Sequence, residues 1–213
     1  MDVSLEFYAA ATGNCLRAAM ALEEAGIPFV TRIVDLKSGA HKRAPYIDLN
    51  PAGLVPTLLE TKPDGSRLIL TQSNAIILYA AEQAPGRLMP LEDGPARAVV
   101  FERFFFFITD VIGPSGAGFF LKRQQQDAAA RLLDARLHNA LAGAERFAAA
   151  SRFIAGDAFS IADIAGFTIT AFARAHLPWD TLPNLKRWYQ TVAPRPGVER
   201  AYRALGMEPP SGP

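Results

Sequence analysis

An α/β domain followed by an all-helical domain is the fold class predicted by this 213-residue sequence, and three observations carry the prediction. Strand-type and helix-type segments alternate from Ser4 to Gln83. A Pro- and Gly-rich stretch then interrupts the chain at 84–95. Beyond it the alternating patterns vanish, and Ala-, Leu- and Arg-rich segments of helical propensity take over. The expected organisation is therefore a domain at 1–83, a linker at 84–95 and a helical bundle at 96–213.

The elements follow in order. S-L-E-F-Y from Ser4 alternates as a strand, and L-R-A-A-M-A-L-E-E-A-G spaces its apolar residues as a helix that stops at Gly26. I-P-F-V-T-R-I-V-D from Ile27 reads as a second strand, followed by an irregular or briefly helical stretch. V-P-T-L-L-E-T from Val55 and R-L-I-L-T from Arg67 read as a hairpin closed by the turn K-P-D-G-S. T-Q-S-N-A-I-I-L-Y-A-A-E-Q then starts a helix, with Ser73 available near its start and Ile76, Ile77, Tyr79 and Ala80 on or near its buried face. The linker carries three Pro and two Gly in twelve residues. Helical segments are expected at about 96–120, 124–150, 161–175 and 184–193, with G-P-S-G-A-G-F-F from Gly113 breaking or kinking the first of them. The tail M-E-P-P-S-G-P reads as a frayed terminus.

Composition bounds the function. Half the residues are hydrophobic, enough for a sizeable core, and 22 Lys and Arg against 21 Asp and Glu leave a net charge of +1. That balance supports neither nucleic-acid nor anionic-membrane binding, so no nucleic acid and no membrane partner is expected. One cysteine excludes an intramolecular disulfide and suits a cytoplasmic location; with three scattered histidines it gives no metal-ligand spacing. The acidic start, Met1-Asp2-Val3-Ser4-Leu5-Glu6, does not read as a signal peptide, and no apolar segment is expected to reach the roughly 20 residues that span a bilayer.

Three places could carry chemistry. Cys15, the single cysteine, lies where a strand gives way to a helix, a position that activates a thiolate; a small residue buried as the helix begins accounts for it equally. Val55-Pro56, in N-P-A-G-L-V-P-T-L, is either a proline tolerated at the first residue of a strand or a cis-proline that turns the Val55 N–H and C=O outward as a docking edge for an extended peptide. Gln72-Ser73 is either an ordinary serine cap or a carboxylate site at a helix N-terminus. An open edge beside an anion site suits a small acidic peptide.

On N-P-A-G-L-V-P-T-L, Q-S-N-A-I-I-L-Y-A-A-E and F-S-I-A-D-I from Phe159, the chain resembles the cytosolic glutathione transferases along nearly its whole length. The resemblance implies a thioredoxin-like first domain and an all-helical second one, glutathione as cosubstrate, a homodimer and a role in detoxification. It gives Val55 main-chain bonds to the cysteinyl part of glutathione with Pro56 cis, and Gln72 and Ser73 the γ-glutamyl end. It also gives His41 or Lys42 the glycyl carboxylate. Leu54 departs from the polar or basic residue many relatives carry there. Ser160 and Asp163 resemble a folding box that caps the family's core helix.

For thiol activation, T-G-N resembles the Thr-x-Asn pair of a bacterial group with disulfide-reducing relatives, which implies catalytic roles for Thr12 and Asn14, with Cys15 one place later as the rival. The second substrate is a hydrophobic electrophile or a disulfide. A glutathione-dependent disulfide oxidoreductase and a non-catalytic binding protein of the same fold are the alternatives. The runs Phe104 to Phe107 and Phe119-Phe120 suit a bundle core, a domain interface, a dimer contact or the lining of an acceptor site, since four consecutive Phe cannot share one face. Tyr8 precedes the loop by too many residues to be a tyrosine-type catalyst and reads as strand core or surface.

Overall fold

The computed structural model describes residues 4–210 and 212. The readings of the acidic start and of the tail lie partly outside these residues, at Met1 to Val3, Ser211 and Pro213. The chain forms two compact units, one running to Leu88 and taking in Pro196–Pro209, the other running from Met89 to Arg195.

In the first unit, β1 (Ser4–Ala9), α1 (Gly13–Ala25), β2 (Val30–Ile33), a 3-10 turn (Ala40–Lys42), α2 (Tyr46–Leu49), β3 (Thr57–Thr61), β4 (Arg67–Leu70) and α3 (Ser73–Gln83) follow the expected order. The sheet runs β2-β1-β3-β4, with β1 parallel to β2 and antiparallel to β3, and β3 antiparallel to β4. Strand alternation sends Phe7, Ala9 and Leu58 to one face, and Tyr8 to the other, where its ring tilts against Tyr46. β2 begins at Val30, three residues later than the sequence pattern suggests. α1 ends at Gly26, whose φ of 73° is left-handed and whose N–H closes onto Glu23 and Leu22, the glycine stop expected there.

Register decides where the functional segments meet. Ala9 pairs with Ile33, Tyr8 with Thr57, and Leu58 with Leu70. The chain therefore leaves β1, leaves β2, enters β3 and leaves β4 at one end of the sheet. Thr12, His41, Val55 and Gln72 all follow from that end.

The second unit contains α4 (Pro95–Phe106), a π-helical turn (Phe107–Ile112), α5 (Gly113–Arg123), α6 (Asp127–Gly143), α7 (Glu145–Ala150), α8 (Ile161–Ala173) and α9 (Pro183–Val192). Gly113-Pro114 was expected to break or kink the first helix. No break occurs: the helical run continues through the π turn, where the Gly113 N–H bonds to the Ile108 carbonyl. Phe104 and Phe107 are fully buried, whereas Phe105, Phe119 and Phe120 are more than half exposed, so the aromatic run divides between core and surface.

That continuity corrects one expectation: among the described residues, Pro95–Arg123 is a helix long and apolar enough, by length and composition, to cross a membrane. Its stripe of Val100, Phe104, Phe107 and Val111 is buried in the unit, where α4 packs on α8 and α5 on α6, and a bundle core helix meets the same criteria. No helix was expected after about 193, in a range assigned to the bundle; α10 (Pro196–Ala204) forms there and packs on α1 in the first unit, with Arg200 bonded to Glu23 at 2.6 Å.

The core of the second unit is organised on one carboxylate. Asp163 is fully buried; its Oδ2 accepts from the Ser160 N–H (2.9 Å) and hydroxyl (3.1 Å), and its Oδ1 accepts from the Ile154 N–H (2.9 Å) and Trp188 Nε1 (2.8 Å). The capping box read from F-S-I-A-D-I is present, and it also ties α8 to α9. Burial pushes the Asp163 carboxyl pKa up, opposed by these four donors. Asp163→Asn should orphan the two donors on Oδ2, and Asp163→Ala all four. Both should lower the denaturation midpoint, the alanine variant by about 2–4 kcal/mol, with unchanged stability removing Asp163 from this role.

Candidate functional site

Thr12 holds extended geometry (φ −133°, ψ 155°) as the N-cap of α1, and its Oγ1 accepts from the Cys15 N–H at 3.3 Å. The cap uses one lone pair of the hydroxyl, so its proton stays free to donate outward. The N–H groups of Gly13 and Asn14 have no acceptor among the described residues, leaving two donors and the positive end of the helix dipole at this point. Asn14 is exposed, and its Oδ1 accepts from Arg17 Nη1 at 2.7 Å.

Cys15 points the other way. Its side chain is fully buried, its Sγ accepts from the Ala10 N–H at 3.4 Å, and desolvation raises its pKa above the usual thiol value against the opposing effects of Thr12, Ala10 and Arg17. A catalytic thiol needs exposure and a depressed pKa. Burial and a raised pKa therefore speak for Cys15 as a packing residue and against the nucleophile reading.

The Val55–Pro56 peptide is cis, and Val55 stands outside the ladder, with no partner for its N–H or C=O among the described residues. The loop before it is held rigidly. Buried Asn50 donates through Nδ2 to the Leu54 carbonyl (2.7 Å) and accepts from the Ala52 N–H (3.2 Å), while the Tyr46 hydroxyl reaches the same carbonyl and Thr57 Oγ1. Gly53 has φ +56°, and a Cβ there would lie 2.8 Å from the His41 carbonyl and 2.9 Å from Lys42 Nζ. Glycine is thus what lets the His41–Lys42 turn close on the Val55 edge. Lys42 Nζ bonds to the Ala52 carbonyl at 3.2 Å, and buried His41 Nδ1 has no partner.

At the fourth segment the serine-cap reading gives way. Gln72, not Ser73, is the N-cap of α3, and no side chain caps the helix. Ser73 is 6 % exposed, and its hydroxyl bonds to nothing among the described residues. The buried Oδ1 of Asn74 is also unpartnered, which makes Asn74 a candidate that the motif reading did not single out. Sequence reasoning also missed Tyr46, Asn50 and Thr57. Of these only Asn50 left a signal, as the first residue of N-P-A-G.

Together the four segments offer an unpaired backbone edge, an uncapped helix N-terminus suited to a carboxylate, and hydroxyl and amide donors at a second helix N-terminus. Among the described residues no group of His, Cys, Asp and Glu could hold a metal ion.

Comparison with known proteins accords with this geometry. The model of the glutathione S-transferase N-terminal domain matches residues 13–83, and that of the glutathione S-transferase C-terminal domain matches 126–191. The chain is 32 % identical over 199 residues to glutathione S-transferase GstB of Escherichia coli, covering 88 % of this chain and 91 % of that protein. It is 25 % identical over 214 residues to the disulfide-bond oxidoreductase YfcG of the same species, covering 92 % and 94 %. A glutathione transferase from Burkholderia graminis, solved with two glutathione molecules bound per subunit, superposes with a TM-score of 0.80 at 27 % identity, covering 93 % of this chain and 87 % of that one.

The burial of Cys15 has a direct readout. An aromatic disulfide reagent should modify this thiol about a hundredfold more slowly in the native protein than in denaturing urea; equal rates would return Cys15 to the list of reactive groups.

Proposed function

Because the chain belongs to the glutathione S-transferase family, we propose that it binds glutathione along the Val55 edge and activates its thiol with Thr12 and Asn14 for attack on an electrophilic small molecule. It is an enzyme, a glutathione transferase with glutathione as cosubstrate. The observation that carries the site assignment is the set of unpaired groups at one end of the sheet: Val55 backbone, the uncapped start of α3 and the free donors of α1.

A γ-glutamyl carboxylate at the Ser73 and Asn74 N–H groups would satisfy donors that no side chain reaches, with Gln72 and Ser73 adding side-chain bonds. The cysteinyl N–H and C=O would pair with Val55 as an added strand does. The glycyl carboxylate would meet His41 or Lys42. This directs the sulfur to the start of α1. A free thiol of pKa about 8.5 is only a few per cent thiolate at pH 7, and lowering it by roughly two units makes it mostly thiolate. Hydrogen bonds from the Thr12 hydroxyl and the Asn14 amide, with the helix dipole, act in that direction. The thiolate sulfur then forms a bond to an electrophilic carbon as the leaving group or π-electron pair departs.

The T-G-N match and the likeness to YfcG favour a second reading in which the thiolate attacks a disulfide sulfur and releases a thiolate. A cytoplasmic location, a homodimer and a role in detoxification complete the proposal, supported by the family's resemblance and by the exposed Phe105, Phe119 and Phe120 as contact surface.

Calorimetric titration with reduced and oxidised glutathione in parallel tests the reading. Saturable binding supports it, and absence of binding of either form at millimolar concentration overturns it. Ser73→Ala should weaken binding tenfold or more, an outcome that unchanged affinity would negate. Thr12→Ala or Asn14→Ala should lower kcat/KM by about tenfold to a hundredfold with little change in affinity, whereas Cys15→Ala should leave turnover nearly intact.

A further inference from the structure

Arg17 is an arginine without a counter-charge. It is 4 % exposed; its Nη1 donates to Asn14 Oδ1 at 2.7 Å, its Nε is buried with no partner, and no carboxylate pairs with it among the described residues. A structural salt bridge would have placed an acid there, since a buried charge is costly when unpaired.

What the contact does to Asn14 follows from donor chemistry. A guanidinium has donors only, so the Asn14 atom facing it must be the carbonyl oxygen, and the amide NH2 is turned the opposite way. Arg17 stands one helical turn after Asn14, and the i, i+3 spacing keeps it under the first turn of α1. The exposed Nδ2 then has two hydrogens and no protein acceptor.

We propose that Arg17 is a positioning residue for thiol activation: it locks the Asn14 amide with its donors outward, toward the glutathione sulfur, and sets its own uncompensated positive charge behind them. The inference rests on the assignment of Asn14 to the sulfur. Burial lowers the Arg17 pKa only to about 10, so the guanidinium stays charged at neutral pH. Without Arg17 the amide can rotate and present oxygen to the sulfur, which repels a thiolate, and the charge that favours the thiolate is gone.

The test is the pH titration of thiolate ultraviolet absorbance in the protein–glutathione complex. Arg17→Met should raise the bound thiol pKa by about one pH unit, tenfold less thiolate at a given pH below it, with glutathione affinity within about threefold of wild type. Arg17→Lys, which keeps a charge and donors, should recover most of the shift. Asn14→Ala should raise the pKa similarly, and the double variant should add little, because the two act as one unit.

Circular dichroism and the thermal midpoint establish that each variant is folded; if Arg17→Met does not fold, Arg17→Gln, which keeps a donor but no charge and should show an intermediate shift, takes its place. An Asn14-sensitive but Arg17-insensitive thiol pKa overturns this inference alone. A protein that binds glutathione with a pKa unmoved by Asn14→Ala overturns the Asn14 assignment and this inference with it, and failure of the wild type to bind glutathione overturns the proposed function itself.

Discussion

The pairing of β3 between β1 and β4 is the constraint on which the rest of the first unit depends. Because β3 runs antiparallel to both neighbours, its first residue lies beside the last residues of β1 and β4. A one-residue slip would turn Leu58 from the core to the opposite face and carry Val55 away from the start of α1. The hydrogen bonds of Asn50 and Tyr46 to the Leu54 carbonyl extend that control one loop further. They anchor the residue just before the cis peptide, so Val55 is presented by a loop held at Leu54.

Helix geometry then sorts the residues after β1. Successive positions of α1 turn by about 100°, so Asn14 and Cys15 cannot share an environment: one faces solvent and the other the core. α3 and α10 both pack on α1, and most of the helix is buried while Asn14 at its start stays exposed. Cys15 is buried and Asn14 is exposed. Thr12 serves both ends, capping the helix with its oxygen while keeping a proton to give.

Much of this was legible in the sequence where the signal was local. Alternation marked β1 and the β3–β4 hairpin, Gly26 marked the end of α1, and S-I-A-D marked the capping box. What failed to show was set by contacts distant in sequence. The packing of α10 on α1 leaves no mark within α10, whose amphipathic pattern fits either unit. The π turn lies across Gly113-Pro114, where the local signal pointed to a break and the packed helix runs on. At the candidate site, the motifs pointed to Val55, Gln72 and Ser73, while the opposite directions of the Asn14 and Cys15 side chains depend on the true start of the helix, which the motif does not fix. Tyr46 and Thr57 were invisible because a supporting hydrogen bond requires only a polar side chain at the right place in space.

Two buried charged residues show how the molecule treats polarity differently in its two units. Asp163 meets four donors, two on each oxygen, and binds helices together. Arg17 meets one acceptor and leaves a buried nitrogen unpaired. Folding alone favours the first arrangement, because a buried group lacking partners loses its hydration without replacement. On the proposed reading, the unsatisfied donors at Asn14, Gly13 and the start of α3 are groups whose partners arrive with a ligand, with the Arg17 charge set behind them. They lie at the end of the sheet where the Val55 edge stands, beside unpaired acceptors on the Val55 carbonyl and Asn74 Oδ1. On the proposed reading, the donors of α1 and α3 complement a ligand carrying carboxylates and a developing thiolate, while the Val55 edge pairs with that ligand's own amide.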